Sequence, residues 1–375
     1  MKKLLASMLA LAMVLGLAAC TGNPSPSPSQ PSQTQTTEGP SASQPTPDDT
    51  VYTLVASTHT PSTTTATVVF QMVLDEITAR SGGRIQFELF TDGTLAAADG
   101  ILDALSSGIA DVAMVNYSRQ AGRMDLMGVA TNPGVFSNPW EGTMAFMEMY
   151  DTIPDIKEEL DSVGLHLMGV QLGTSSVIMS KEPIHDILDL TGKRVITGTD
   201  AVTDILTSVG ATPLSFSNAE AYEALSKGTA DAIASNSLSG AVGFGIQEVA
   251  KYVYNINLGA GPLVYGISTS AYESLPADLQ AVIDEVAHEY VPDTVYQVYV
   301  QEQGKETTTE MALEAAGVTI VDPTAEQIAD FQTQYGSPIW DKWVSEREAA
   351  GYENARTVLD TFIELCAKHT GTCPF

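Results

Sequence analysis

Short apolar runs, some alternating with polar residues and some bounded by glycine, recur along the chain at 52–56, 85–90, 112–115, 166–170, 194–197, 232–234 and 263–269; each predicts a strand. Between them apolar residues return every three or four positions over 64–79, 97–106, 143–149, 201–208, 219–225 and 276–291, which predicts helices. A long helical tract follows over 292–315. Strand and helix in alternation predict an α/β protein. About 325 residues carry this pattern, enough for two lobes with separate cores.

The first 50 residues fall outside the pattern. Met1-Lys2-Lys3 precedes an apolar run from Leu4 to Leu17, which ends in Leu17-Ala18-Ala19-Cys20. A basic start, a short apolar core and small residues before a cut are the parts of an export signal, and the run is shorter than the roughly 20 residues that cross a bilayer. Small residues directly before a Cys resemble the bacterial lipobox, in which Cys20 receives the lipid; the plainer alternative is a cut near Ala19 with an incidental thiol. Residues 21–50 are almost wholly Ser, Pro, Thr, Gln and Gly. Such a segment buries too little apolar surface to offset its ordering entropy and reads as an extended stalk. The expectation is a signal peptide over 1–19, a lipidated Cys20 with a disordered stalk over 20–50, and a folded part outside the cell membrane, anchored to its outer face or periplasmic.

The formal charge is −29, and cleavage would remove Lys2 and Lys3 and no acid. Nucleic-acid binding, which rests on Lys and Arg neutralising phosphates, is excluded, as is polybasic adhesion to anionic lipid. Beyond Cys20 the cysteines are Cys366 and Cys373, a spacing that suits a disulfide closing a small C-terminal loop in an oxidising compartment. The five histidines, at 59, 166, 185, 288 and 369, show no metal-ligand spacing. Gly259-Ala260-Gly261 runs straight into Pro262, which spoils a dinucleotide-binding turn, and no Gly-x-Ser-x-Gly elbow or phosphate loop occurs. No metal, cofactor or enzymatic activity is expected; an exported hydrolase with an unfamiliar site is the remote alternative.

One internal repeat bears on function. Residues 104–116 read ALSSGIADVAMVN and residues 224–236 read ALSKGTADAIASN, identical at seven of thirteen positions. A helix ends, Gly108 or Gly228 caps it in the left-handed conformation, and Ala-Asp leads into a short buried strand that closes on Asn116 or Asn236. Ligands of open α/β sheets sit beyond the carboxyl ends of strands. Two such units, one per lobe, would set both asparagines at the mouth of a cleft. The alternative is a convenient helix-to-strand turn used twice.

Several segments resemble, in order and spacing, the substrate-binding receptors of TRAP transporters, the dicarboxylate and sialic-acid receptor type. They include His59-Thr60-Pro61, Ser81-Gly82-Gly83-Arg84-Ile85, Asp92-Gly93-Thr94-Leu95, Lys181-Glu182-Pro183-Ile184, Asp189-Leu190-Thr191-Gly192-Lys193-Arg194, Gly210-Ala211-Thr212-Pro213, Lys251-Tyr252-Val253 and Ser274-Leu275-Pro276. The resemblance covers about Tyr52 to Leu365 and implies a two-lobed, hinged, periplasmic-binding-protein-like fold (type II) with a long helix spanning both lobes. It places lobe I at 51–173 and 261–300, and lobe II with the C-terminal helices at 174–260 and 301–372. It further implies a receptor that closes over a small organic acid and delivers it to a membrane permease. A ligand-sensing or surface lipoprotein on the same fold is the alternative.

At the ligand the chain departs from that family. The Arg which such receptors place on the strand after Asp-Leu-x-Gly falls at Ile196, and a second Arg used by some members falls at Ser175. Arg119, three residues past Asn116, matches an Arg that some members use on the ligand; Arg194 shares a strand face with Ile196 but reads as a surface residue. The remaining cleft candidates are His59 at the first strand-to-helix turn, Ser235 and Asn236 at the close of the second repeat, and Asn218, which a helix N-cap explains as well.

Overall fold

The computed structural model describes residues 50–120 and 122–373. The expected signal peptide, Cys20 and the stalk up to residue 49 lie outside the described residues. Among the described residues eleven strands appear in chain order: β1 (Tyr52–Ser57), β2 (Ile85–Phe90), β3 (Val112–Asn116), β4 (Leu165–Gln171), β5 (Val177–Ser180), β6 (Arg194–Thr197), β7 (Thr212–Ser215), β8 (Ala232–Asn236), β9 (Tyr252–Tyr254), β10 (Leu263–Ser268) and β11 (Thr319–Val321). They form two sheets, β2-β1-β3-β10-β4 in lobe I and β11-β9-β5-β8-β6-β7 in lobe II.

Each sheet is covered on both faces, which is why its strands read as continuous apolar runs. In β3, Val112 and Met114 enter one core with Phe70, Leu74 and Ile77, while Ala113 and Val115 enter the other with Phe146 and Leu167. Phe70, Leu74 and Ile77 come from the helix Thr65–Arg80, whose inward residues recur at helical spacing and whose Thr64 hydroxyl accepts the Thr67 N–H at 3.3 Å. Full burial of such a side chain contributes about 1.5–3 kcal/mol. Lobe II repeats the plan: Val195 and Ala232 face one core, Ile196 and Ile233 the other. The strands absent from the sequence reading are the short ones, β5, β7, β9 and β11. Pro213 sits in β7, at the sheet edge where a missing N–H does least harm.

Two short segments cross between the lobes, residues 172–176 from β4 to β5 and residues 255–262 from β9 to β10. They bond to one another: Ser176 N–H donates to Gly259 O at 2.9 Å and Leu258 N–H to Ser176 O at 3.1 Å. A third connection is helical. The helix Ala277–Glu285 continues through a π turn, Val286–Tyr290, into the long helix Val291–Ala315. Its Val291 and Val295 lie in the core of lobe I and its Leu313 in that of lobe II, so it spans both lobes.

The C-terminal region corrects two expectations. The helix Ala355–His369 packs on lobe I rather than lobe II: Val358, Leu359 and Phe362 enter its core, with the Phe362 ring 5.0 Å from Phe146. The chain reaches it over the helix Ser337–Ala349, which rests Ile339 against lobe II and buries Trp343 and Val344 in lobe I. The Cys366–Cys373 disulfide is not formed, and both thiols are free. Cys366 belongs to the inward stripe of its helix and is buried, whereas Cys373 lies past the helix end, half exposed. Burial pushes the Cys366 thiol well above its usual range.

Candidate functional site

Register brings the carboxyl ends of the two sheets together. In lobe I, Asn116, Leu263 and Gln171 stand in one row across β3, β10 and β4. β1 runs parallel to β3, with Ser57 opposite Ala113, so the turn after β1 leaves from the same edge. In lobe II, β6, β7 and β8 are mutually parallel in the same sense, and Val177 at the start of β5 stands opposite Asn236 at the end of β8. The crossing 172–176 joins Gln171 to Val177, so it links the carboxyl end of one sheet to that of the other. The space between those ends is the cleft.

Six of the eight predicted residues come to this region. His59 follows β1 and is half-buried, its Nδ1 buried without a partner. Burial first, and the Arg119 charge second, hold its imidazole below the usual range. Asn116 is half-buried, and its Oδ1 accepts the Ser118 N–H at 3.0 Å, capping the turn Tyr117–Arg119. Arg119 itself is exposed. Ser175 lies half-buried in the crossing, beside Thr174, whose Oγ1 is buried without a partner. Ser235 and Asn236 end β8, and both Ser235 Oγ and Asn236 Nδ2 are buried and unpartnered. Water-excluded polar groups without partners cost free energy, so their gathering at facing strand ends makes this edge the candidate binding surface.

Of the other two, Ile196 does not join them. Ile196 is fully buried, packed with Ile233, Ala221 and Leu225 beneath the helix Asn218–Ser226, so its side chain belongs to the core. The side chain of Asn218 lies outside the described residues. Arg194 stands at the amino end of β6, where its guanidinium donates to Asp231 at 3.0 and 2.8 Å and to Gly228 O at 2.7 Å. That ion pair holds the Asp231 carboxyl below its usual range.

A cavity of about 130 Å³ adjoins the predicted residues, and none of them lines it. Its walls are Tyr117 and Ser118 after β3, Thr131 and Asn132, the turn Gly198–Asp200 after β6, and Trp343 and Arg347 of the helix Ser337–Ala349. Gly198 lets the two lobe II turns approach: a Cβ there would stand 2.9 Å from Ser235 Cβ. Tyr117 packs on Gly128, where a Cβ would collide with the phenol. Burial pushes that phenol up to about 12, with the Arg347 guanidinium pulling the other way. Beneath this wall Glu159, fully buried, accepts the Leu126 and Met127 N–H groups at 2.7 and 3.1 Å. The sequence reading missed these residues, although Tyr117 and Gly198–Asp200 follow strands whose ends had been recognised. Trp343 and Arg347 carried no such signal, since helix spacing does not say which element a late helix will cover.

Comparison with known proteins agrees with the two-lobed fold. Residues 55–347 match the family model DctP, described as bacterial extracellular solute-binding protein, family 7. The chain is 25% identical over 218 residues to the uncharacterized protein YiiZ of Salmonella typhimurium; the match covers 56% of this chain and 64% of that one, less than two thirds of its length. It is similar in fold to the TRAP solute-binding protein of Rhodoferax ferrireducens T118 solved with copurified benzoate, with a TM-score of 0.76 and 23% identity, covering 86% of this chain and 99% of that one. A marine metagenome TRAP solute-binding protein specific for aromatic acid ligands, solved with 3-hydroxybenzoate, gives a TM-score of 0.75 and 20% identity over 85% of this chain and 99% of that one.

Proposed function

As this chain belongs to the bacterial extracellular solute-binding proteins of family 7, we propose that it is an extracytoplasmic receptor of a TRAP-type transporter, closing over one small organic acid and presenting it to a membrane permease. The observation that carries the reading is the set of buried polar atoms without partners at the facing strand ends: His59 Nδ1 on lobe I, Thr174 Oγ1 on the crossing, Ser235 Oγ and Asn236 Nδ2 on lobe II. Each lobe holds part of a binding surface, and closure would satisfy all of it at once. A closed, loaded shape can then be told from an open, empty one, which is what a permease must read. Tethering through a lipid on Cys20, with residues 21–50 as the stalk, would keep the receptor beside its permease. Replacing Cys20 with Ser should then release the protein from the membrane fraction; retention would sink the anchor.

The test of the receptor itself is thermal unfolding of protein first stripped of bound ligand, against mono- and dicarboxylates, sugars, polyols and amines. A true ligand at 100 times its dissociation constant adds about 2.7 kcal/mol of stability. Stabilisation by an organic acid supports the reading. No stabilisation by any compound of these classes would overturn it.

A further inference from the structure

The residues around the cavity hold polar atoms that the fold leaves unanswered. Asn132 Oδ1, Trp343 Nε1 and Arg347 Nε are each buried without a partner, and all three residues belong to its walls. Asn132 is 1% exposed and Trp343 7%, so bulk water does not serve them. Hydrogen bonding fixes what each can do. Asn132 Nδ2 donates to Val129 O at 3.0 Å; a carbonyl can only accept, so the amide nitrogen faces Val129 and the free atom is the oxygen. Asn132 therefore offers an acceptor. The indole nitrogen of Trp343 can only donate.

Both residues are held in place. The crossing 255–262 lies against the Asn132 turn, where Ala260 N–H donates to Ala130 O at 3.1 Å. A Cβ on Gly259 would stand 2.5 Å from Thr131 O and 2.9 Å from Asn132 O, so glycine permits that approach. Trp343 packs into the lobe I core, with the Arg347 guanidinium carbon 5.9 Å from its ring centre. The charged groups of the walls answer one another. Lys342 pairs with Asp204 and, at 3.4 Å, with Glu346; Arg347 pairs with Asp125 at 3.5 Å and Glu346 at 3.6 Å. Asp200 adds a further acid, so a carboxylate placed here would be desolvated with poor compensation. The cavity suits an uncharged group. Its volume of about 130 Å³ is near the roughly 150 Å³ of an apolar cavity that holds benzene, so that group has about the bulk of one ring.

We propose that this cavity is a subsite for the uncharged end of the solute, and that it selects a hydroxylated end, which donates to Asn132 Oδ1 and accepts from Trp343 Nε1. This rests on the receptor reading and adds what the end away from the carboxylate must carry. An unsubstituted end of the same size would fill the space and leave both atoms dry and unpaired. A site built to hydrogen-bond a hydroxyl rejects the analogue lacking it for that reason.

The experiment is calorimetric titration of the full-length protein, first stripped of bound ligand, with parent acids and their hydroxy acids: benzoate with meta- and para-hydroxybenzoate, and butyrate with β- and γ-hydroxybutyrate. In at least one series a hydroxy acid should bind at least about tenfold more tightly than its parent. Trp343→Phe keeps a ring in the core and removes the N–H. It should weaken that hydroxy acid about tenfold and the parent acid less than about threefold. Asn132→Ala should act in the same way. Because it also removes the bond to Val129 O, denaturation of the unliganded variant is measured beside it, and Trp343→Phe decides the matter if Asn132→Ala does not fold. Loss of the preference for the hydroxyl is the readout, since a purely structural defect weakens both acids alike. Parent and hydroxy acids that bind within about twofold of each other, or a preference that survives Trp343→Phe, would overturn the subsite and leave the receptor standing. So would a ligand from the thermal panel when neither series binds. Silence from every compound would remove the receptor reading, and the subsite with it.

Discussion

The two copies of the repeat share one skeleton and end differently. In each, glycine leaves the helix at φ 73, at Gly108 and at Gly228. In each, the aspartate bonds the neighbouring parallel strand twice through the same atoms. Asp111 N–H donates to Val55 O at 2.8 Å, and Val55 N–H donates back to Asp111 Oδ2 at 2.8 Å. Asp231 N–H donates to Arg194 O at 2.8 Å, and Arg194 N–H donates back to Asp231 Oδ2 at 2.9 Å. At the other end of the strand the likeness stops. Asn116 commits its oxygen to the Ser118 N–H and carries the turn with Arg119, whereas Asn236 is buried with its amide nitrogen unpaired. The joint that fixes helix to strand is a stability device and is the same in both lobes. The strand's carboxyl end faces the cleft, and there the lobes have diverged.

The largest expected difference between the lobes lies in a buried acid. Among the described residues the buried carboxyls are Glu141 and Glu159, both in lobe I. Burial pushes Glu159 from 4.5 up to about 7. Between those values the native protein holds a proton that the unfolded chain has released, so stability is highest below about 4.5 and falls as pH rises to about 7. The fall attributable to Glu159 is about 3 kcal/mol. Chemical denaturation from pH 4 to pH 8 should show it, and Glu159→Gln should remove that part of the slope. A variant whose pH dependence runs parallel to the parent would clear Glu159 as its source.

Next in size are the two aspartates that the repeat shares. Asp111→Ala strips a part-buried N–H of its acceptor and should cost about 1–2 kcal/mol. Asp231→Ala removes an acceptor that water can replace and an exposed ion pair, and should cost about 1 kcal/mol or less. Both lie at the far end of the sheet, so neither should change solute affinity. A loss of affinity in Asp231→Ala would break the division of labour between the ends of the strand.

Much of this was legible from residue order. The repeat announced its own geometry, because Gly at the cap and Asp at the strand start leave few alternatives, and the strands buried on both faces showed as apolar runs. The long helix was legible from its length alone. What escaped depended on tertiary placement. Three- and four-residue strands such as β9 and β11 have no period to detect. The stripe of Val358, Leu359, Phe362 and Cys366 says that the last helix buries a face, but nothing in it says against which lobe. The same gap bears on the disulfide: spacing allowed it, whereas in the fold Cys366 is buried and both thiols are free. At the cleft, strand ends could be named from sequence, but Ile196 shows that a position taken over from a family motif can belong to the core.

The smallest predicted effect is also the most direct test of the comparison, because it asks the two asparagines to fail in different ways. Asn116 acts through its oxygen as a cap, so Asn116→Ala should lose about 1 kcal/mol of stability without ligand, and Asn116→Ser, which keeps an acceptor, should restore most of it. Asn236 has no bond to lose at Nδ2, so Asn236→Ala should leave the unliganded protein as stable as the parent or slightly more so. Its cost should appear only with the solute bound, as an affinity about tenfold weaker. Denaturation and calorimetry on the same three variants separate the outcomes. If Asn236→Ala destabilises the empty protein as much as Asn116→Ala does, its amide is already satisfied in the fold. The asymmetry between the repeats would then be one of burial and not of recognition.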